Sequence, residues 1–376
     1  MESHARSVRG PSLEFDVDES ARKQGCLVPR QVFVRATQGE VLDGMTAGER
    51  TSRGLILMYH RVAEVSSDPW GLCVTPRHFA EHLAVLRVRT SPLKALDFAV
   101  QWDAGATTAT SVAVTFDDGY ADNLYDAKPL LEQYEVPATC FVSTGYLGQR
   151  SYWWDELEQR LLHPGRLPHA LRLETASYRG QWDLNGAAWY GEEELRRLRG
   201  WKAWEEAPTL RHQIYANLHA VCRPMAEPER RSILDQLLAA VSEAAKIPST
   251  WRPLTKDETV TLGAGGLVEI GAHTVTHPLL SACPSDVAQR EIAGSRRALE
   301  QILGRPVTSF AFPYGGPADY TPDTMRIVRE AGFSCAYSTT PGVVGPGAER
   351  FRLPRVHVED WTGEEFAERL AWWLND

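Results

Sequence analysis

The run Ser111-Val-Ala-Val-Thr-Phe-Asp-Asp-Gly-Tyr120 decides how this chain is interpreted. Five apolar or β-favouring residues lead directly into two neighbouring carboxylates and a glycine. We therefore predict a buried strand that ends in Asp117 and Asp118 at the mouth of a sheet. Because successive strand residues point to opposite sides, one acid can bind a metal while the other stays free as a base. The alternative is a solvated strand end, where Asp-Gly is ordinary turn chemistry.

A second run, Val268-Glu-Ile-Gly-Ala-His-Thr-Val-Thr-His277-Pro, has a similar design. If the chain turns helical there, His273 and His277 share one face and both imidazoles can reach one ion. Together with Asp118 they make three ligands, which leaves coordination positions open for water and substrate, as in catalytic metal sites. An isolated histidine pair can equally be interfacial or part of a satisfied core.

These residues carry a family resemblance. Thr115-Phe-Asp-Asp-Gly119 and His273-Thr-Val-Thr-His277 resemble the first two motifs of the polysaccharide deacetylases, the NodB-homology enzymes of the carbohydrate esterase family 4 type. Phe310-Ala-Phe-Pro-Tyr-Gly315 resembles their groove-wall motif. The resemblance covers about Gly54 to Leu370, with a long insertion. It implies an α/β fold, a distorted (β/α)7-type barrel, and metal-dependent removal of an N-acetyl or other acyl group from an amino sugar.

The chain has 376 residues, of which 43% are hydrophobic, so it can bury a sizeable core in one large domain or two ordinary ones. We divide it into a flexible or loosely docked extension at 1–53 and a barrel at 54–376. Met45 is an alternative start within the extension, which leaves the status of residues 1–44 open. Residues 149–262 break the strand–helix rhythm and are predicted to form a helical insertion over the barrel mouth.

Alternating strands and helices on both sides of the insertion predict parallel strands with crossover helices, whose carboxyl ends carry active residues. We predict strands at 54–60, 111–116, 137–143, 307–312 and 333–338, followed by the strand-like run 351–358. We predict helices that begin after Thr75, near 124–134, from Ser285 to Gly304, from Thr321 to Gly332, and at 363–374.

Seven of the twelve tryptophans fall in the insertion. Trp153 and Trp154 are our substrate-binding candidates, because aromatic faces suit sugar rings; the alternative is that the tryptophans form the insertion's own small core. His60 follows the first predicted strand and is a further substrate-binding candidate, or a rim histidine without a chemical role.

The resemblance assigns the chemistry residue by residue. Asp118, His273 and His277 would hold one divalent metal, with zinc the first choice and cobalt, nickel or iron also accepted by such ligands. Asp117 would be the general base. The backbone N–H of Tyr314 would be the second oxyanion donor, and Pro313 would stiffen that loop beside the substrate.

Two assignments depart from the family pattern. The family supplies a general acid from a late Leu-x-His strand; here Leu353-Pro-Arg-Val-His357 offers His357 at a different spacing, and His60 is the alternative. The family also has an arginine that pairs with the base, where this chain has Ala311. Without a cation the pKa of Asp117 would rise, so Arg355 is our candidate partner; the alternative is a surface arginine paired with Glu359 or Asp360.

Composition excludes some partners. The net charge of −9 argues against nucleic acid. None of the six cysteines forms a C-x-x-C pair, which indicates no disulfide framework and a reducing compartment. With no apolar leader and no run of 18 apolar residues, we expect a cytoplasmic protein without a transmembrane segment. The expected substrate is then an acylated amino sugar, whether free or linked to a nucleotide, a lipid or a natural product.

The sequence thus favours a metal-dependent carbohydrate N-deacetylase. A deformylase acting on a formamido sugar is the nearest alternative within the enzymes. A sugar-binding barrel that has lost catalysis is the alternative from another class. The intact set Asp117, Asp118, His273 and His277 speaks against it, because a binding protein needs no free acid beside a metal.

Overall fold

The computed structural model describes residues 54–375 except 109, 150, 242–249 and 346. The predicted extension at 1–53, with Met45, lies outside the described residues. The strands are β1 Leu55–Tyr59, β2 Arg61–Val62, β3 Cys73–Val74, β4 Ser91–Leu93, β5 Ser111–Phe116, β6 Ala138–Val142, β7 Gly165–Arg166, β8 Ala170–Glu174, β9 Arg179–Asp183, β10 Trp189–Tyr190, β11 Val268–Ala272, β12 Ser309–Ala311, β13 Cys335–Tyr337 and β14 Val356–His357. The helices are α1 Pro76–Arg89, α2 Ala95–Asp103, α3 Lys128–Tyr134, α4 Trp153–Leu161, α5 Glu192–Leu198, α6 Leu210–Cys222, α7 Glu227–Ala240, α8 Lys256–Gly263, α9 Ser285–Leu303, α10 Pro322–Glu330 and α11 Gly363–Asn375.

One curled sheet organises the fold. Its strands follow the order β13-β12-β11-β6-β5-β1-β14. The short strand β4 pairs with the first half of β5, and β6 pairs with the second half along the same edge, while β1 occupies the opposite edge. All of these pairings are parallel. A parallel bridge between Tyr337 and Leu353 brings the two ends of the sheet together. The expected distorted barrel is confirmed, with seven strands along its path.

Local sequence explains the crossover helices. The Thr75 hydroxyl accepts a hydrogen bond from the His78 N–H at 3.3 Å and caps α1, and Pro76 occupies the first turn. The apolar stripe of α1, formed by Phe79, Leu83 and Leu86, is fully buried. α9 stops at Gly304, whose φ of +65° is the left-handed conformation that glycine adopts at helix ends. The predicted helix near 124–134 differs, because it opens with a wider π-type turn at Asn123–Ala127 before α3.

The insertion leaves the barrel and returns to it at one place. The Gly148 N–H donates to the Leu254 carbonyl at 2.9 Å, and the Leu254 N–H donates to the Gly119 carbonyl at 3.0 Å. Between these points lie α4 to α7 and also two small antiparallel pairs, β7 with β10 and β8 with β9. The prediction of a helical insertion missed these strands. The buried Leu171 and Leu173 alternate with exposed neighbours, which is the strand pattern.

The insertion has its own hydrophobic core, and that core rests on the barrel rim. It includes Tyr120, which follows the Asp-Asp-Gly turn, and Tyr314 packs against it. Apart from Tyr146, the remaining buried members come from the insertion, including Trp153, Trp154 and Trp201. The insertion therefore covers the end of the barrel where the candidate residues lie.

Two composition-based expectations can be compared with the described part of the chain. Cys73, Cys140, Cys222, Cys283 and Cys335 are free thiols there, while Cys26 lies outside the described residues. No helix among the described residues combines the length and the apolar character needed to cross a membrane.

Candidate active site

Parallel strands bring the predicted site residues to one rim of the barrel. They lie at or just beyond the strand ends: His60 after β1, Asp117 and Asp118 after β5, His273 and His277 after β11, Pro313 and Tyr314 after β12, Arg355 just before β14, and His357 at its end. This is the position that active residues occupy in parallel barrels.

Asp118, His273 and His277 form a compact set of metal-ligating groups. The Oδ1 atom of Asp118 lies 3.5 Å from Nε2 of His273 and 3.4 Å from Nε2 of His277. The ligand atoms of all three lie within 4.8 Å of one another, and all three residues are buried. Nδ1 of His273 is 2.8 Å from the Ala311 carbonyl. This contact places an N–H on Nδ1, so in the neutral ring that binds a metal the lone pair lies on Nε2, which faces Asp118.

The ligand turns are held in a disfavoured backbone conformation. Among the described residues, six non-glycine residues have a positive φ, and four of them are at this rim: Asp118 at +73°, Thr274 at +64°, His277 at +52° and Tyr314 at +60°. Such conformations cost about 1–3 kcal/mol each and cluster at functional sites. The helical turn considered for 273–277 does not form, and a tight loop brings the two histidines together instead.

Glu291 of α9 holds this loop. Its Oε2 atom accepts hydrogen bonds from the N–H groups of Val275 at 2.9 Å and Thr276 at 2.8 Å, and its Oε1 atom accepts from the Thr276 hydroxyl at 2.8 Å. The Thr274 hydroxyl accepts from the His277 N–H at 3.1 Å. Sequence reasoning missed Glu291, because a single acid on an amphipathic helix looks like any solvent-facing acid.

Asp117 faces a different partner from Asp118. The Arg355 guanidinium donates from Nη1 to Oδ1 at 2.7 Å and from Nη2 to Oδ2 at 2.6 Å. Arg355 is fully buried and Asp117 is 2% exposed. Nε of Arg355 donates to the Ser338 carbonyl at 2.8 Å, and Nη1 also reaches the Thr115 hydroxyl at 3.2 Å. The alternative of a surface arginine paired with Glu359 or Asp360 is wrong, because Arg355 lies inside the barrel.

This pairing sets the charge of Asp117. Burial raises the pKa of Asp117, but Arg355 and then His273 lower it by more, so its pKa lies well below the ordinary value. The carboxylate is therefore ionised at neutral pH. Ala311, where the family has its arginine, contributes only its backbone carbonyl to His273.

His60 and His357 face each other beside this pair. Their rings are 5.7 Å apart and perpendicular. Nδ1 of His60 and Nε2 of His357 are buried without a hydrogen-bond partner among the described residues. Burial lowers the pKa of His357 to about 3 and also lowers that of His60. Both rings are therefore neutral at neutral pH.

The turn after β12 stands over the metal-ligating set. The Tyr314 ring lies 4.7 Å from the His277 ring. The Gly315 N–H donates to the Pro313 carbonyl at 2.6 Å, and the Thr339 hydroxyl donates to the Tyr314 carbonyl at 2.5 Å. These bonds fix the turn that carries the Tyr314 backbone N–H.

Comparison with known proteins agrees with this geometry. The sequence profile described as "Polysaccharide deacetylase" matches residues 104–180 and 239–336, which include the ligand set and Asp117. The chain carries a polysaccharide deacetylase domain. The stretch 181–238, which separates the two matched segments, lies within the predicted insertion.

A curated relative covers a shorter stretch. The protein of Bacillus subtilis (strain 168) named "Putative polysaccharide deacetylase YxkH" is 29% identical over 120 residues, which are 31% of this chain. That stretch spans only 41% of the relative.

Solved structures share the fold over most of the chain. The deacetylase PplD of Streptococcus pyogenes, in complex with acetate, is 17% identical and has a TM-score of 0.52, covering 85% of this chain and 99% of PplD. IcaB of Ammonifex degensii is 20% identical with a TM-score of 0.51, covering 86% of this chain and 97% of IcaB. At these identities the likeness establishes the deacetylase fold alone.

The residues of this deacetylase domain fit a divalent metal. Four tetrahedral ligands at about 2.0–2.1 Å from an ion are separated by roughly 3.4 Å, and the two measured Asp118–histidine separations are 3.5 and 3.4 Å. One carboxylate and two imidazoles are also ligands that zinc and its neighbours accept. Three protein ligands leave a coordination position for water or substrate.

The expectation for two tryptophans needs correction. Trp153 is 1% exposed and Trp154 is 6% exposed, and both belong to the insertion's core rather than to an open sugar-binding face. Their large apolar area is removed from water by the insertion itself. Trp204, in contrast, is 63% exposed. Trp204, Lys202 and His357 all lie within 4 Å of the point that a Cβ on Gly71 would occupy.

Proposed function

We propose that this chain is a metal-dependent hydrolase that removes the N-acetyl group from an amino sugar. The proposal is based on the different partners of the two adjacent acids, Asp117 and Asp118. Asp118 lies within 3.5 Å of a ring nitrogen of each of the two histidines, whereas Asp117 forms its ion pair with Arg355. A sugar-binding barrel has no need for a second, ionised acid beside a metal site, whereas metal-assisted amide hydrolysis uses both a metal and a base.

Asp118, His273 and His277 would hold the metal, with zinc the first choice and cobalt, nickel or iron also compatible. When bound, the metal would polarise the acyl oxygen and lower the pKa of a coordinated water toward neutrality. Asp117 accepts the proton of the attacking water. Its two oxygens each receive one bond from Arg355, and each carboxylate oxygen keeps a second lone pair for that proton.

Arg355 both supports and limits this base. The bidentate contact keeps Asp117 ionised and in one orientation, but the same positive charge makes the carboxylate a weaker base. The backbone N–H of Tyr314 is proposed as the second donor to the developing oxyanion. Pro313 and His60 would line the acyl-sugar site.

The leaving amine needs a proton, and His357 is our candidate to deliver it, with His60 as the alternative. Both rings are neutral at rest because burial disfavours their charged forms. We therefore assign them the transfer of the proton that Asp117 takes up, and not the storage of a proton of their own. The orphaned ring nitrogens of both residues are free to take part in that transfer.

The substrate class and the cell compartment belong to the same proposal. Free thiols, four of them buried and Cys283 half-buried, support a reducing, cytoplasmic location. The substrate would then be an amino sugar that is free or linked to a nucleotide, a lipid or a natural product. We also propose the division into a barrel and an insertion at 149–262, since the chain leaves and rejoins the barrel close to these bounds.

A mass-spectrometric screen tests the function. Purified protein loaded with zinc or cobalt is incubated with N-acetylated and N-formylated amino sugars in each linkage class. Loss of acetyl from one class, abolished by chelation and restored by metal, is the expected result. Loss of formyl with acetyl retained would replace the deacetylase by a deformylase. No turnover, combined with tight sugar binding, would favour the inactive barrel.

A further inference from the structure

The insertion contacts both metal-ligating turns directly. The Tyr152 hydroxyl donates to the Asp118 carbonyl at 2.8 Å. Nη2 of Arg230 donates to the Thr276 carbonyl, next to His277, at 3.1 Å. The Trp154 ring lies 4.8 Å from the His277 ring. Each contact therefore falls on a ligand or on its immediate neighbour.

The groups that make these contacts are buried and held in place. Tyr152 and Arg230 are fully buried. The Tyr152 and Trp154 rings stack at 4.7 Å with an angle of 9°. Nε1 of Trp154 donates to the Tyr120 hydroxyl at 2.7 Å, and that hydroxyl donates to Asp155 at 3.1 Å. The start of α4 is thus fastened to the strand end that supplies Asp118.

The ligand turns need such support. Asp118 and His277 both adopt left-handed backbone conformations, which persist only where surrounding structure fixes them. The Asp118 carbonyl receives two hydrogen bonds, one from the barrel through the Ser143 N–H at 3.0 Å and one from the insertion through Tyr152. Half of the support of this carbonyl therefore comes from a segment outside the barrel.

We propose that Tyr152, Trp154 and Arg230 are positioning residues and that the insertion completes the metal centre. This inference rests on the proposed function, since it assumes that Asp118, His273 and His277 bind a metal. Outer partners that orient ligands change metal affinity by about 10–100-fold when they are removed. The insertion would then be required for tight metal binding even though it supplies no ligand.

Tyr152→Phe is the sharpest variant, because it keeps the ring and its stacking and removes one hydrogen bond. The Asp118 carbonyl keeps its bond from Ser143. Tyr215→Phe is the matched control: Tyr215 is also fully buried in the insertion's core, and its hydroxyl accepts from Nε1 of Trp70 at 2.8 Å. The measurement is the cobalt dissociation constant of the metal-free full chain, together with its melting temperature without metal.

We expect Tyr152→Phe to weaken cobalt binding by about tenfold or more, and Tyr215→Phe to change it less than about twofold, with similar melting temperatures without metal. Equal cobalt affinities in both variants and the wild type would overturn the positioning role while leaving the metal centre intact. A wild-type protein that does not bind cobalt would instead overturn the proposed function itself, and the inference with it.

Trp154→Phe keeps the inference testable if Tyr152→Phe does not fold. It removes the N–H donor to Tyr120 and reduces the ring beside His277. We expect weaker cobalt binding and an altered visible absorption of bound cobalt, since that absorption reports the ligand geometry. Unchanged affinity together with unchanged absorption would contradict the inference.

Discussion

The barrel rim and the insertion are both buried, but they are built from opposite chemistry. Asp117, Asp118, His273, His277 and Arg355 are each at most 5% exposed, and all are charged or titratable. The insertion buries mainly tryptophan, tyrosine and leucine side chains. Burying charged groups is costly unless each has a partner, whereas burying apolar groups stabilises the fold. The rim therefore carries the chemical groups, whereas the insertion's core contributes stability and, through Tyr152 and Trp154, also contacts the rim.

The comparison predicts that rim substitutions separate metal binding and activity from stability. His273→Ala should abolish tight metal binding and lower turnover on the order of 10³-fold or more, since oxyanion and water activation are lost together. Metal content of the purified protein measures this. His82→Ala is the matched control: His82 is a fully buried histidine with both ring nitrogens in hydrogen bonds, away from the rim. It should lose stability and keep the metal; unchanged metal content in His273→Ala would sink the ligand assignment.

Arg355 contributes to both stability and chemistry, because it neutralises the buried charge of Asp117 and keeps this carboxylate ionised. Arg355→Ala would leave Asp117 as an uncompensated buried charge, which costs about 3–5 kcal/mol of unfolding free energy. Without the guanidinium, burial would raise the pKa of Asp117. The base is active when ionised, so the acidic limb of the pH–rate profile should move to higher pH.

Arg355→Lys provides the graded control. Lysine keeps the charge but not the two parallel hydrogen bonds. The acidic limb should move in the same direction by less, and metal content should stay unchanged. If the limb stays in place in both variants, Asp117 does not supply the titrating base.

Two tryptophans of the insertion should behave in opposite ways. Trp153→Ala removes a ring that is 1% exposed and should cost about 3–5 kcal/mol of unfolding free energy. Trp204 is 63% exposed and lies near His357. Trp204→Ala should change stability by less than about 0.5 kcal/mol and raise KM severalfold without lowering kcat, if sugar rings pack on it. Denaturant unfolding and steady-state kinetics separate the two effects; an unchanged KM would remove Trp204 from the substrate site.

Much of the barrel could be predicted from local sequence. β5 was predicted and observed at 111–116, because an apolar run bounded by polar residues is typical of a parallel strand buried on both faces. Several other strands are shorter than predicted: β12 covers 309–311 within the predicted 307–312. The apolar run continues beyond the last hydrogen bond between the strands, so the amino-acid composition does not show where the strand ends. β7 and β10 are two residues each, which is too short for any periodic pattern.

The site was predictable where chemistry appears at strand ends, and not where tertiary packing decides. Because the carboxyl ends of parallel strands share one rim of a barrel, the sequence alone predicts that Asp118 and His273 lie at the same rim. Because Ala311 stands where the family has an arginine, a different cation was predicted for Asp117, and Arg355 lies 238 positions from Asp117 in sequence. Glu291, Tyr152 and Arg230 gave no such signal, because their importance comes only from the backbone groups that the folded chain brings to them.

The measurement that tests the central claim most directly compares Asp117→Asn with Asp118→Asn. The two substitutions are chemically identical and one residue apart, and each protein is assayed for metal content and for turnover. Asp117→Asn should keep the metal and lose on the order of 10²–10⁴ in kcat, the usual loss for a general base. Asp118→Asn should lose both metal and turnover. If the two variants lose metal to the same extent, or if Asp117→Asn keeps full activity, the division of these acids into a base and a ligand is contradicted.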